Sequence, residues 1–290
     1  MYEFTEITVT AKQHHNWSVS NISGTDFYAH QNENIFVTFN VTNTGNLIDT
    51  MLWSATQNTI QNQNDSTTWS IETDPERALN VNQTSTFGIN ITIPESSWEG
   101  SILYYNLSLI SDSNNYAELN LKITVLRNSG WSLKLTESDL DVSTTGSNIT
   151  IEIKNEGNAI VEPILIPVVP TGWNITNISS MTTVEPDGTI SVNLHVIPPA
   201  ESLGGEIGMM TLIVKDGDTL DGRSEIGVPL RVANLYSVEI GHEMDWIVSL
   251  EGGYPVVWLK NNGNALNEIL IEISGSAKSS SSARPSFFLS

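Results

Sequence analysis

Apolar and polar residues alternate over short segments along most of the chain. In its middle third this alternation predicts seven strands, and no segment shows the period of an amphipathic helix. The predicted strands are Trp131–Thr136, Asn148–Lys154, Ile160–Val169, Trp173–Ile178, Thr189–Ile197, Ile207–Lys215 and Glu225–Val232. Gly, Pro, Asn and Asp lie at the joints between them. Seven short strands in about 105 residues predict a two-sheet Greek-key β-sandwich, with a closed barrel as the lesser alternative.

One four-residue phrase, Asn-x-Gly-Asn, recurs three times and begins at Asn43, Asn155 and Asn261. The spacings of 112 and 106 residues between these positions match the size of an immunoglobulin-type sandwich. They therefore predict one sandwich per copy. Glycine and asparagine adopt positive φ more readily than other residues. Each phrase is accordingly predicted to be a tight reversal between two strands.

Other landmarks keep the same register as the phrase. An aromatic residue precedes each phrase by 24 to 26 residues, and in the first two copies a Trp and an Ile-Pro pair follow it. These landmarks are Trp17, Trp131 and Tyr236, then Trp69 and Trp173, then Ile93-Pro94 and Ile197-Pro198. The first copy is eight residues longer between phrase and Trp, which predicts a polar loop insertion within residues 57–67.

The repeat register predicts five consecutive regions. Tyr2–Val9 occupies the position before Trp17 that Tyr116–Val125 occupies before Trp131, so the chain is predicted to begin inside the last strand of a preceding repeat. A Ser-rich stretch replaces the later part of the third copy. The predicted regions are 1–12 (that last strand), 13–127 (sandwich 1), 128–233 (sandwich 2), 234–273 (an incomplete third repeat) and 274–290 (an irregular tail). We expect the chain to be a fragment of a longer repeat protein or an incomplete reading frame.

The order of these features resembles a known group of modules. An apolar strand leads into Asn-x-Gly-Asn, then Pro170-Thr171-Gly172-Trp173, a Thr/Ser-rich strand ending in Ile-Pro, a Gly and a long hairpin. This order is similar to the bacterial and archaeal Ig-like modules of the CARDB type, the cell-adhesion-related domain found in bacteria, and of the NEW type associated with alpha-galactosidases. The first copy departs from it, with Thr67-Thr68 before its Trp. The resemblance implies extracellular spacers, adhesive units or accessory parts of secreted enzymes, none of them catalytic.

Charge and composition narrow the classes of partner. The formal net charge is −21, from 12 Lys+Arg against 33 Asp+Glu, which argues against nucleic acid and against anionic membranes. No run approaches the roughly 20 apolar residues that span a bilayer, and residues 1–30 show no signal-peptide pattern. The chain has no cysteine, which excludes disulfides, thiolate catalysis and Cys-type zinc sites.

Candidate chemistry is sparse. Asp216–Gly222 contains three carboxylates, at Asp216, Asp218 and Asp221, which fits a weak calcium site, but Asp-Gly between two strands is more typical of a plain hairpin. Five histidines are scattered, and the adjacent pair His14 and His15 would point to opposite faces of a strand. No catalytic motif is present. We therefore predict no catalytic, cofactor-binding or metal-binding residues, no cofactor and no enzyme activity.

Tryptophans and glycosylation sequons bear on surface recognition. The recurring tryptophans favour core or junction packing, whereas Trp98 is the one to consider for stacking on a sugar. Ten Asn-x-Ser/Thr sequons begin at Asn16, Asn21, Asn40, Asn64, Asn82, Asn90, Asn106, Asn148, Asn174 and Asn177. Chance in a chain this rich in Asn, Ser and Thr supplies about half or more of them, so glycosylation is only a candidate property.

The sequence as a whole predicts tandem Ig-like β-sandwiches from an exported or cell-surface protein, acting as a stalk, spacer or adhesion scaffold. Its expected partners are neighbouring repeats of the same chain and an unidentified surface protein or glycan. The alternative is a non-catalytic, carbohydrate-binding or other accessory region of a larger secreted glycoside hydrolase or peptidase. The incomplete third copy also predicts an open sheet edge that promotes aggregation.

Overall fold

The computed structural model describes residues 7–60, 69–110, 116–137, 140–217, 222–242, 256–271 and 286–289. The regular elements in these residues are all β-strands, which confirms the all-β fold. The chain divides into two compact units. Unit 1 comprises Met1–Ser129 with Gly157–Ile160 and Glu185–Asp187, and unit 2 comprises Gly130–Glu156, Val161–Val184 and Gly188–Ser290.

The first sandwich lies in unit 1 and has two four-stranded sheets. Its strands are β1 (Trp17–Asn21), β2 (Asp26–Ala29), β3 (Asn34–Asn43), β4 (Asp49–Thr50), β5 (Leu52–Ile60), β6 (Ser70–Thr73), β7 (Ala78–Leu79), β8 (Thr84–Thr92), β9 (Ile102–Ile110) and β10 (Tyr116–Val125). One sheet has the order β1-β3-β8-β6 and the other β2-β10-β9-β5, while β4 pairs with β7. β2 runs parallel to β10. This strand order is that of an immunoglobulin-type Greek-key sandwich.

The second sandwich lies in unit 2 and repeats the same order. Its strands are β11 (Trp131–Leu135), β12 (Asp141–Val142), β13 (Ser147–Asn155), β14 (Pro163–Val168), β15 (Asn174–Thr176), β16 (Thr189–Ile197), β17 (Ile207–Asp216) and β18 (Ser224–Val232). The sheets are β11-β13-β16-β15 and β12-β18-β17-β14. All seven predicted strands are present, with β16 matching its predicted bounds. The two-residue strand β12, parallel to β18, was not predicted.

Alternation along the strands builds each core. In β13 the inward residues Ile149, Ile151 and Ile153 are buried, as predicted, and the residues between them face outward. In the first sandwich three aromatic rings from β3, β5 and β8 pack together: the ring centroids of Phe39 and Phe87 each lie 5.5 Å from that of Trp53. Both Trp53 pairs have the edge-to-face geometry that the ring quadrupole favours.

The third copy contributes four short strands to unit 2. They are β19 (Val238–His242), β20 (Val257–Asn261), β21 (Asn267–Leu270) and β22 (Ser286–Leu289), paired as β19 with β20 and β21 with β22. Val238 pairs with Asn261 just as Trp17 pairs with Asn43 and Trp131 with Asn155. The predicted equivalence of Tyr236 with these tryptophans is therefore wrong by two residues. Tyr236 lies before the strand and is exposed.

The two ends of the chain were predicted to be the last strand of a preceding repeat and an irregular tail, and the structure describes part of each. Residues 7–12 form no strand, and Ile7 and Val9 are exposed, because an isolated strand without a paired neighbour is not stable; residues 1–6 lie outside the described part. The tail was predicted to be irregular over 274–290, but Ser286–Leu289 forms β22. Its Phe-Phe-Leu run has high β-propensity, and the edge of β21 provides backbone groups for it to pair with.

Candidate functional site: the asparagine clasps at the linkers

Each Asn-x-Gly-Asn phrase connects strands that belong to different sheets. The first follows β3 and precedes β4 and β5, and the second follows β13 and precedes β14. The phrase is therefore a crossing between the two sheets of a sandwich and not a hairpin, which corrects the prediction of a strand reversal.

In the first and third copies the glycine of the phrase is required by a close approach and not by positive φ. Gly45, Gly157 and Gly263 are not among the described residues with positive φ. A Cβ on Gly45 would lie 2.5 Å from the carbonyl oxygen of His14, and one on Gly263 would collide with the carbonyl oxygen of Leu235. Only a residue without a Cβ lets the incoming linker backbone pass this close.

The first asparagine of the phrase closes the turn from inside. Asn43 is buried, donates from Nδ2 to the carbonyls of Leu47 and Leu79 at 2.8 and 2.9 Å, and accepts the N–H of Gly45 at Oδ1. Asn261 makes two equivalent contacts, to Ala265 O and from Gly263 N. These side-chain bonds satisfy backbone groups that a chain crossing between sheets would otherwise leave unpaired.

The second asparagine holds the linker that enters the sandwich, and we call this arrangement the asparagine clasp. In all three copies Nδ2 donates to a linker carbonyl and Oδ1 accepts the N–H two residues further along. The Nδ2 bonds are Asn46 to Lys12 O at 2.8 Å, Asn158 to Leu126 O at 2.9 Å and Asn264 to Ala233 O at 3.0 Å. The Oδ1 bonds are from His14 N at 2.8 Å, Asn128 N at 2.7 Å and Leu235 N at 2.6 Å.

A third bond completes each clasp. The main-chain N–H of the same asparagine donates to the carbonyl of that second linker residue: Asn46 to His14 at 2.9 Å, Asn158 to Asn128 at 3.0 Å and Asn264 to Leu235 at 3.0 Å. Each clasp thus fixes a three-residue linker segment by three hydrogen bonds, each contributing about 1 kcal/mol net. Clasp and linker belong to the same compact unit in every case: unit 1 for Asn46 and Asn158, unit 2 for Asn264.

In the second and third copies the second asparagine also accepts a hydrogen bond from a turn earlier in the chain. The N–H of Glu99 donates to the carbonyl of Asn158 at 2.9 Å within unit 1, and the N–H of Gly204 donates to the carbonyl of Asn264 at 2.7 Å within unit 2. Sequence reasoning located the phrase but missed this role of its second asparagine. The sequence does distinguish these two copies from the first: a small residue, Ala159 or Ala265, follows the second asparagine, whereas Leu47 follows it in the first copy.

The acidic stretch Asp216–Gly222 has a structural anchor. Asp216 ends β17, is buried, and accepts the indole N–H of Trp131 at 2.6 Å. Its carboxylate is therefore committed to a core contact, which disfavours the calcium alternative at this residue. Asp218 and Asp221 lie outside the described residues, so the rest of that prediction is not tested.

The histidines are not brought together. His15 Nδ1 lies 2.8 Å from Asp49 Oδ2 in the first sandwich, and His195 Nδ1 lies 2.9 Å from Asn148 Oδ1 on the outward face of the second. The described residues contain no group of three His, Asp or Glu side chains that could hold a metal ion. Burial raises the pKa of Tyr105, which lies in the first core.

The tryptophans that recur between copies divide by burial. Trp17, Trp69 and Trp131 are buried, whereas Trp173 is partly exposed. Trp98, the candidate for stacking on a sugar, is also partly buried, in the turn that reaches Asn158. The structure thus places Trp98 beside a clasp, which fits packing better than an open sugar platform.

Several sequons follow from the strand pattern itself. Asn40, Asn90, Asn106 and Asn148 lie on outward faces, each followed by a buried aliphatic residue and then by an outward Thr or Ser. Outward Asn and Thr side chains bond across strands, as between Thr86 Oγ1 and Asn40 Oδ1 at 2.8 Å. Because strand alternation alone generates Asn-x-Thr, the number of sequons is not independent support for glycosylation, which stays a prediction.

No helix in the described residues is long and apolar enough to cross a membrane.

No protein-family model matches the chain, and no curated protein sequence is similar to it. Many solved structures are similar in fold, including the following three. The PapD-like domain 7 of human CEP192 is 10% identical, with 43% of this chain and 96% of that chain covered and a TM-score of 0.31. A Porphyromonas gingivalis W83 protein of unknown function is 14% identical (74% and 99% covered, TM-score 0.28). Escherichia coli alpha-2-macroglobulin activated by porcine elastase is 9% identical (84% and 25% covered, TM-score 0.30). Similarity at this level identifies no function or partner for this chain.

Proposed function

We propose that this chain is a non-catalytic series of Ig-like modules from an exported or cell-surface protein, where it acts as a stalk, spacer or adhesion scaffold. The observation that carries the proposal is the asparagine clasp, which occurs three times with the same donors and acceptors. A catalytic domain needs one site, whereas a spacer needs the same linker device at each joint. The CARDB-like resemblance of the sequence supports the same function.

The clasps make the linkers short and ordered. A free linker of three to five residues samples many backbone conformations, and fixing each residue costs about 1–2 kcal/mol. The three bonds of each clasp offset part of that cost. In the second copy Asn158 is fully buried, so its side-chain bonds to the linker are partly shielded from competition with water. A spacer built from such joints keeps its end-to-end distance better than a spacer with free linkers.

The net charge of −21 supports a role at a surface or in the medium outside the cell. Excess carboxylates keep an extended protein soluble and oppose contact with nucleic acid or an anionic membrane. The partners we propose are neighbouring modules of the same type and a surface protein or glycan. The accessory-region alternative would use the same clasps, but its carbohydrate-binding form gains nothing from Trp98, which is partly buried.

Backbone ¹⁵N relaxation of the full chain tests the proposal. If the clasps order the linkers, the amides of Asn128 and Leu235 have order parameters near 0.85, as in rigid backbone. Replacing Asn158→Ala should lower the value at Asn128 below about 0.6 and leave Leu235 unchanged. Asn174→Ala, an exposed asparagine outside every clasp, is the matched control. Low order parameters at both linkers in the unmodified chain would overturn the spacer function.

A further inference from the structure

The three clasps differ in what covers them. Asn158 is fully buried and Asn264 is partly buried, whereas Asn46 is exposed. All three make the same three bonds to their linkers, so the difference does not arise from the clasp itself. It arises from the turn that lies over the asparagine in the second and third copies.

That turn has the same construction in both places. It is Ser97–Gly100 in unit 1 and Ser202–Gly205 in unit 2, and these turns follow β8 and β16 respectively. The serine is buried and its N–H donates to a proline carbonyl, Ser97 to Pro94 at 3.2 Å and Ser202 to Pro199 at 3.1 Å. The closing glycine has positive φ, 76° in Gly100 and 86° in Gly205. Between them, the third residue of the turn donates its N–H to the carbonyl of Asn158 or Asn264.

The first copy has the equivalent asparagine carbonyl, at Asn46, but no described turn bonds to it. Among the described residues no hydrogen bond reaches the main-chain carbonyl of Asn46. The next residue, Leu47, lines an open cleft of about 530 Å³ together with Gln13, His15 and Ile48. Leu47 stands where Ala159, only 7% exposed, and Ala265 stand in the covered copies. We call the Asn46 carbonyl with Leu47 and this cleft the Asn46 socket.

We propose that the Asn46 socket binds the corresponding turn of a further Ig-like module, one that precedes this sandwich through the linker at Lys12–His14. The occupant is a turn that begins three residues after a proline, with a buried serine, a free N–H two residues later and a closing glycine with positive φ. A second copy of this chain cannot supply it from its described residues, because both of its turns already bond to Asn158 and Asn264. The inference rests on the proposed function, since it names the partner of a module array.

The register of the linker makes the contact geometrically available. Asn46 already bonds to Lys12 and His14 as Asn158 bonds to Leu126 and Asn128. A module whose last strand ends one residue before Lys12 would therefore hold its turn as the first sandwich holds Ser97–Gly100. Docking is then intramolecular, and a short linker gives an effective concentration of about millimolar or above.

A single engineered thiol tests the socket, because the chain has no cysteine of its own. The variant Leu47→Cys is made in the full chain and in a chain in which an added copy of residues 13–125, retaining its own Leu47, precedes Lys12. The control has the same added module with Gly-Ser-Gly inserted before Lys12. A second pair of chains uses residues 128–232 as the added module, which brings the turn Ser202–Gly205. Iodoacetamide alkylation rates are compared at one pH.

The in-register chains should react about tenfold more slowly than the unextended chain, and the spacer chains should react at nearly the unextended rate. Equal rates in the in-register and spacer chains, with the added modules shown to be folded by their unfolding transitions, would overturn the inference. The failure is distinguishable from failure of the proposed function, because the relaxation experiment on Asn128 and Leu235 does not involve the socket.

Discussion

Asn158 donates its side-chain amide to the carbonyl of Leu126 at 2.9 Å and accepts the N–H of Asn128 at 2.7 Å. One fully buried side chain thus satisfies both an acceptor and a donor of a single linker. Neither an aspartate nor an alanine can do both, because the carboxylate has no donor and the methyl group has neither function. The clasp therefore has a chemical requirement that substitution can test.

Replacing Asn158→Ala should destabilise unit 1 by about 1–3 kcal/mol, because the buried side chain that bonds to Leu126 O and Asn128 N–H is removed. Asn158→Asp should cost at least as much, since a carboxylate oxygen would face the carbonyl of Leu126 without a donor. Calorimetric unfolding of the full chain measures both. An Asp variant as stable as the unmodified chain would contradict the assignment of Nδ2 as donor to Leu126.

Replacing Gly45→Ala should destabilise the first sandwich by about 1–3 kcal/mol, because its Cβ would lie 2.5 Å from the carbonyl of His14 and 3.1 Å from Asn16 N. The cause is the close backbone and not φ strain, since Gly45 is not among the positive-φ residues. Gly227→Ala is the control, because its Cβ would meet only the sulfur of Met209 at 3.5 Å. Denaturant unfolding should show a loss for Gly45→Ala and none for Gly227→Ala.

Replacing Asp216→Ala should destabilise the second sandwich by about 1.5–3 kcal/mol, because the buried indole N–H of Trp131 would lose a charged acceptor. Asp216→Asn retains an acceptor oxygen and should cost less. Trp131 fluorescence during urea unfolding follows the second sandwich in a variant with the other tryptophans replaced by phenylalanine. Equal losses in the Ala and Asn variants would indicate that the charge of Asp216, and not its bond to Trp131, is what matters.

The strands were predictable because each places apolar residues on one face at every second position. The pattern in Thr189–Ile197 defines β16 to the residue, and Ile149, Ile151 and Ile153 are buried as expected. β12 escaped prediction because a two-residue strand carries no period, and its partner β18 lies about 90 residues away.

The sequence alone cannot tell which sheet the next strand joins, so the phrase at Asn43 was predicted to be a hairpin. The clasp escaped for the same reason, since its bonds join residues 29 to 34 positions apart.

The alkaline stability of the first sandwich should depend on Tyr105. Burial raises the pKa of its phenol, because desolvation disfavours the phenolate in the folded state. The folded state then retains a proton that the unfolded chain releases near pH 10, so this contribution to stability is complete below about pH 10 and is lost as pH rises through the folded pKa. Tyr105→Phe should remove that part of the pH dependence. Urea unfolding between about pH 8 and 11.5 should show a shallower decline for the variant, and parallel declines would contradict the prediction.

Removing residues 236–290 should lower the tendency of the chain to aggregate. Within the described residues β20 pairs only with β19, whereas β3 and β13 each pair on both sides. The third copy also exposes Ile240 and Trp258, so it combines an open strand edge with apolar surface. In the full chain, Ile240→Lys should have the same effect in weaker form, because a charge on an edge strand opposes edge-to-edge pairing. Light scattering at increasing concentration compares the three chains. Greater aggregation of the truncated chain would show that the third copy protects unit 2 instead of exposing it.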